Sequence, residues 1–324
     1  MVRAAPIAPQ PVAARPGGGL SGGPSRPDVL LANSCVSSAV SPGRAELVDD
    51  VVRFATDLYR GSAGYYDRYR LPYPEPMLTD LIRRAGVSGH GRLLDLACGT
   101  GQLAFPLRGW FGEVWAVDSE PDMVDVVRAK AAAPGAGEFR PIVSDAETLD
   151  AEPDYFDLVV IGNAFHRLNR DRVAGRTLRW LKPGGHLALC WSSQPFLGEE
   201  DWQRALAALL EKWQVALGAK DRIPAGWDLP RQRRPDLQVL AAAGFGVAGR
   251  HEFTAEHRWS VPELAGLVRS TSFLPASVIG DQAAAFDADL AASLGPYSDG
   301  GAFTENATFI YELARKPSAT AAGR

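Results

Sequence analysis

Residues 93–104 read LLDLACGTGQLA, and the order of residue types in this stretch decides the fold. Leu93, Leu94 and Leu96 predict a buried strand. Gly99 and Gly101 form a G-x-G, and a helical pattern starts immediately behind them. A strand that turns through glycines into a helix lets the backbone approach a ligand and leaves free amides at the helix start. Outward from this loop, strands are predicted at 92–97, 113–117, 139–143, 156–162 and 186–191, and helices at 101–109, 121–132 and 170–180. Such alternation means an α/β fold: a mostly parallel sheet with helices on both faces.

The flanks read differently. Residues 1–43 are dominated by Ala, Pro, Gly and Ser without periodicity, as expected of a disordered or extended arm. Helical spacing starts at Ala45 and runs to Arg60, and a second helix covers 74–86, with Pro at its start and Gly at its end. The core domain is therefore placed at 44–194. Beyond Trp191 the alternation breaks. Helices are predicted at 201–217 and 235–243, a strand at 246–260, two helices at 261–271 and 279–294, and a final strand at 305–316. The segments 195–235 and 260–300 are too long for plain connections and are read as a partly helical cap over the sheet's carboxyl edge, where α/β folds bind ligands. Residues 236–259 and 301–316 would complete the core, and 317–324 form a tail.

Composition narrows the function classes. The 324 residues carry a formal net charge of −4, which leaves no basic footprint for nucleic acid. Three distant cysteines, Cys35, Cys98 and Cys190, argue against a disulfide framework or a zinc site and fit a reducing cytoplasm. No apolar run is long enough to span a membrane. A small-molecule ligand is expected.

The loop by itself leaves two ligands open. Gly99 to Ala104 satisfies G-x-G-x-x-A, the fingerprint of a nicotinamide dinucleotide site and hence of an NAD-dependent dehydrogenase. Asp118, 19 residues after Gly99, would accept ribose hydroxyls from either kind of nucleoside. Three features break the tie. Asp95 places an acid inside the strand, where the dinucleotide pattern is apolar and an unpaired carboxylate would be costly. VSDAETL follows the third strand, with Asp145 ahead of Ala146 and Glu147. FDLVVIGNAFHRL and LKPGGHLAL follow in order.

These four ordered motifs, over about 60–192, resemble the class I S-adenosyl-L-methionine (SAM) dependent methyltransferases. The resemblance implies a Rossmann-like seven-stranded sheet whose last strand is antiparallel. It also implies SAM as cofactor, leaving S-adenosyl-L-homocysteine as product. Its cofactor-binding residues would be Asp95, Ala97, Gly99, Gly101, Asp118, Ser119, Met123, Asp145, Ala146, Glu147 and Asn163. Ala97 stands where many members carry glycine. YYDRYRLPYP resembles the opening of the small-molecule branch and adds Tyr66 and Arg70 at the amino-acid end of the cofactor, with Leu71 departing from the usual proline. Within the branch, the chain resembles aminoglycoside N-methyltransferases of gentamicin-type antibiotic biosynthesis, which implies a cationic amino sugar as acceptor. O-methylation of a carboxylate or hydroxyl is the alternative. His166, behind the fourth strand, is the candidate catalytic base because imidazole titrates near neutrality. It could equally orient substrate without moving a proton. His166, Trp191 and Trp202 are the candidate substrate-binding residues. A homodimer through the N-terminal helices or the cap is a further expectation, and no metal site is expected.

Overall fold

Leu93 and Leu94 point to opposite faces of one sheet, and this alternation sorts every helix of the core. The computed structural model describes residues 52, 54, 55, 57–132 and 138–318. The arm at 1–43, Cys35, and residues 319–324 of the tail lie outside them, as do 45–51 of the helix expected at 45–60. The described residues 57–61 form a turn instead, closed by Arg60 N–H to Asp57 O (3.2 Å) and Ser62 N–H to Tyr59 O (2.9 Å). Gly61, at φ 75°, sets it off from the helix that follows.

The strands are β1 (Gly91–Leu96), β2 (Phe111–Asp118), β3 (Glu138–Val143), β4 (Phe156–Gly162), β5 (Leu181–Ser192), β6 (Gly246–Ser260) and β7 (Ala302–Arg315). They form a seven-stranded sheet in the order β3-β2-β1-β4-β5-β7-β6. The first five are parallel, and β7 runs antiparallel to both β5 and β6. This is the Rossmann-like sheet with an antiparallel last strand. The helices are α1 (Ala63–Tyr69), α2 (Glu75–Ala85), α3 (Ala104–Leu107), α4 (Pro121–Ala131), α5 (Arg170–Trp180), α6 (Asp201–Ala216), α7 (Leu229–Arg233), α8 (Asp236–Ala242), α9 (Val261–Arg269), α10 (Ala276–Ile279) and α11 (Ala283–Leu294).

On one face Leu93, Leu158, Val160 and Tyr311 meet Met77 and Leu81 of α2, Leu107 of α3 and Val127 of α4. On the other, Leu94, Val159 and Leu189 meet Val173 and Trp180 of α5 and Leu240 of α8. A third core joins α6, α9 and α11 through Leu206, Trp213, Leu264, Phe286 and Leu290. It rests on Trp259 and Phe303, at the far end of the β6–β7 hairpin. The two long segments after β5 thus pack on each other above the sheet.

Two boundaries differ from expectation. The helix expected at 101–109 begins only at Ala104, because the residues before it are spent on the glycine turn. The strand expected at 186–191 begins at Leu181, since the chain after β7 pairs with the KPGG segment through Gly184 N–H to Lys316 O (3.0 Å) and Lys316 N–H to Gly185 O (2.8 Å). Among the described residues, no helix is long and apolar enough to cross a membrane, and no group of three or more His, Cys, Asp or Glu could hold a metal.

Candidate active site

The loop after β1 is a run of left-handed residues: Ala97 at φ 56°, Gly99 at 53° and Gly101 at 83°. For alanine this conformation costs about 1–2 kcal/mol, so the surroundings must hold it. They do so through Cys98 N–H to Val117 O (2.9 Å) and Gly99 N–H to Asp118 Oδ2 (2.8 Å). The dihedral favours glycine at 99, where a Cβ would also stand close to the Tyr66 ring, at 3.2 Å. Asp95, 1% exposed, has its polar partner in the Ala104 amide, which donates to Oδ2 at 2.8 Å. The acid within the strand therefore anchors the start of α3. Burial pushes its carboxyl up to about 7, aided by the charge of Asp118 and opposed by the amides of Ala104 and Leu103.

Further acids line the carboxyl edge. Asp118 ends β2, and its second oxygen accepts from Glu120 N–H at 2.9 Å; burial raises its pKa against these amide bonds. Ser119 and Asp145 are exposed beside it at the ends of β2 and β3, while Met123 and Ala146 are buried. The Glu147 carboxylate accepts from Asn169 N–H (2.9 Å) and so joins this loop to the start of α5. Asn163, left-handed at φ 51°, bridges the ends of β4 and β5: Ser192 N–H donates to its Oδ1 (3.0 Å), and its Nδ2 donates to Ser192 Oγ (2.9 Å).

Between this edge and the cap lies a narrow cleft, partly open to solvent. Tyr66, Arg70, Asp95, Ala97 and Asn163 line it together with Trp259. Arg70 donates to Gln194 Oε1 (2.9 Å) and Ser270 O (3.0 Å), while its Nε is buried without a partner. Burial pushes the Tyr66 phenol up to about 12, so it stays neutral.

The expected substrate-binding residues do not converge on this space. Trp202 packs into the cap core against Phe303, with ring centroids 5.5 Å apart. Its helical spacing on α6 put it on the buried stripe. His166 lies in a separate cluster, its ring 5.4 Å from that of Trp191 and 5.0 Å from that of Trp227. The Arg231 guanidinium stacks 3.7 Å over Trp191. Burial, with the charges of Arg167, Arg231 and Arg170, lowers the His166 pKa well below the usual histidine value, and its Nδ1 has no partner. Sequence reasoning passed over Gln194, Ser193 and Trp259, which reach the pocket only through the pairing of β5, β6 and β7. No local motif marks them.

Comparison with known proteins finds methyltransferases among the similar chains. An uncharacterized methyltransferase of Mycobacterium tuberculosis is 34% identical over 135 residues, 41% of this chain and 52% of the relative. A ubiquinone/menaquinone biosynthesis C-methyltransferase of Azotobacter vinelandii is 37% identical over 119 residues, 35% of this chain and 47% of the relative. The chain thus spans about half the length of the curated relatives it matches. Among solved structures, a putative type II methyltransferase of Anaeromyxobacter dehalogenans is similar in fold, with a TM-score of 0.50 at 19% identity, over 78% of this chain and 100% of that one. Residues 93–185, which run from β1 into β5 and carry the loop and its acids, match the family model described as a methyltransferase domain.

Proposed function

We propose that the protein transfers a methyl group from SAM to a small molecule, and that the acceptor is an amino group of a cationic amino sugar of the aminoglycoside type. The observation that carries the cofactor reading is the row of acids around a left-handed loop. Asp95 anchors α3, Asp118 ends β2 and Asp145 follows β3. A dinucleotide site has no use for a buried acid at position 95, and here that acid shapes the turn itself.

The residues present fit the cofactor. Tyr66, Arg70 and Asn163 would hold its amino-acid end, where the unpartnered Nε of Arg70 is available to a carboxylate. Ala97, Gly99 and Gly101 would let the backbone come close. Asp118 would take the ribose hydroxyls, and Ser119, Met123, Asp145, Ala146 and Glu147 would surround the adenine. Bound there, SAM supplies a methyl group on a sulfonium, an electrophile whose leaving group is neutral. The chain's own task is to position and desolvate the acceptor. His166 is neutral at physiological pH and flanked by arginines that oppose its protonation. It stands with Trp191 and Trp227 outside the pocket lining, so in this reading it neither holds the acceptor nor takes its proton.

The amine reading rests on the sequence resemblance and on the buried Glu305 carboxylate behind the pocket wall. O-methylation is the second reading, favoured by Arg167, whose buried Nε has no partner and would suit an acceptor bearing a carboxylate. Calorimetry with S-adenosylhomocysteine and NAD tests the cofactor, and NAD binding without S-adenosylhomocysteine binding would refute the proposal. Labelled-methyl transfer to amino sugars, carboxylates and phenols tests the acceptor, and absence of product with every amino sugar would remove the aminoglycoside reading. A homodimer in the cytoplasm is part of the proposal, checked by light scattering of the full chain and by fractionation of its native cells.

A further inference from the structure

Behind Ser193 and Trp259, which line the pocket, lies Glu305 of β7, 5% exposed. Trp259 Nε1–H donates to its Oε2 at 2.6 Å, and Ser193 Oγ–H donates to its Oε1 at 3.4 Å. Both partners are neutral, and among the described residues no cation pairs with this carboxylate. Burial raises its pKa, and only these two hydrogen bonds oppose that. His257 is its register partner on β6, with a ring 4.3 Å from that of Trp259; burial lowers the pKa of this imidazole against the charge of Glu263.

Among the described residues other buried acids are compensated in place, except Glu120, which has only the charge of Arg60 to set against burial and the charge of Asp118. Asp236 lies between Arg170 (3.0 Å) and Arg231 (2.6 Å), and Glu113 between Arg92 (3.0 Å) and Arg140 (2.9 Å). Asp95 and Asp118 receive backbone amides. An ionised carboxylate left without a counter-charge in a buried site is costly. Glu305 would be in that position when ionised, and it is hydrogen-bonded to two residues that line the pocket.

We propose that the missing counter-charge belongs to the ligand: Glu305, acting across Ser193 and through the Trp259 indole, makes this end of the pocket selective for an ammonium group. The inference rests on the methyltransferase reading of the pocket and names the charge of the acceptor. Two physical effects support it. A carboxylate's field is weakly screened where water is scarce. An indole is the aromatic ring best suited to a cation, and donating its N–H to a carboxylate makes the ring more electron-rich. Arg70 lines the same pocket with the opposite sign, so the two charges separate a place for a carboxylate from a place for an amine. Glu305 is thus a positioning residue for the acceptor, not a cofactor ligand.

The test uses the full chain saturated with S-adenosylhomocysteine and calorimetric titration with two probes, neamine and its neutral tetra-N-acetyl derivative. Wild type should bind neamine at least about tenfold more tightly than the acetylated compound. Glu305→Gln keeps an oxygen for the Trp259 N–H and removes only the charge. It should weaken neamine at least about tenfold, leaving the affinities for S-adenosylhomocysteine and the acetylated probe unchanged. Glu305→Asp should stay within about threefold of wild type for neamine. An unchanged neamine affinity in Glu305→Gln, an equal loss for both probes, or equally weak neamine binding by both variants overturns the inference. If neither variant folds, the wild-type pair of titrations decides: equal affinity for the two probes, or no neamine binding, overturns it. Wild type that binds no S-adenosylhomocysteine overturns the methyltransferase reading. Wild type that binds it without preferring the ammonium probe overturns this inference alone.

Discussion

Asp95 has a cost that depends on pH. Its carboxyl sits at about 7 in the folded protein because it is buried, against about 3.9 in an unfolded chain. Across that window unfolding releases a proton, so stability falls as pH rises, by about 1.4 kcal/mol per unit, and then levels off. Asp95→Asn keeps an acceptor for the Ala104 amide and removes the titration. Urea unfolding at several pH values should show the variant gaining on wild type by about 1.4 kcal/mol per unit between about pH 5 and 6.5. A constant difference across that range would contradict the account. At position 97, the left-handed φ of 56° tolerates Gly but not a β-branched side chain. Ala97→Gly should change stability by less than about 1 kcal/mol, while Ala97→Val should lose at least about 2 kcal/mol together with S-adenosylhomocysteine binding. For His166, which does not line the pocket, His166→Gln should leave kcat within about threefold of wild type and remove no limb near pH 6.5 from the pH profile. Loss of such a limb would restore the base role.

A short helix places two side chains of the pocket. α1 has only 7 residues, yet Tyr66 and Arg70 reach the pocket from it and from its C-cap. It lies against α9, where Gly266 leaves room for Tyr69; a Cβ at 266 would stand 2.4 Å from that ring. Gly266→Ala must push the ring aside and tilt α1. The expected loss is about 1–3 kcal/mol of stability, with S-adenosylhomocysteine affinity falling more than the stability alone would require. Unaltered affinity in a folded variant would show that α1 is not held by this contact. α9 itself starts in a reciprocal cap, in which Ser260 N–H donates to Glu263 Oε2 at 2.8 Å and Glu263 N–H donates to Ser260 Oγ at 3.4 Å. The strand β6 therefore hands over directly to a cap helix that braces α1.

At the scale of the molecule, three cores share the load: one on each face of the sheet and one in the cap. The pocket lies where the cap meets the carboxyl edge, so its ligands should stabilise the ensemble as a whole. S-adenosylhomocysteine at 100 times its dissociation constant should add about 2.7 kcal/mol, seen as a Tm rise of several degrees, and NAD should add none. An equal rise with NAD would return the loop to the dinucleotide reading.

The sequence by itself determined the sheet, the loop and its acids. These depend on local order: aliphatic runs of strand length, a G-x-G at a strand end, and an acid four residues ahead of it. Such signals survive because the parallel strands, β3 excepted, are each followed closely by their own turn and helix. Tertiary structure decided the rest. Trp202 and Trp259 both belong to the cap core, yet only Trp259 also lines the pocket. Glu305 meets Ser193 across 112 residues and Trp259 across 46. Neither meeting has a local signature, because it depends on the register of a long hairpin against β5. LLDLACGTGQLA names the kind of site from within one turn of chain, whereas the acceptor's place is assembled from strands and helices far apart in sequence.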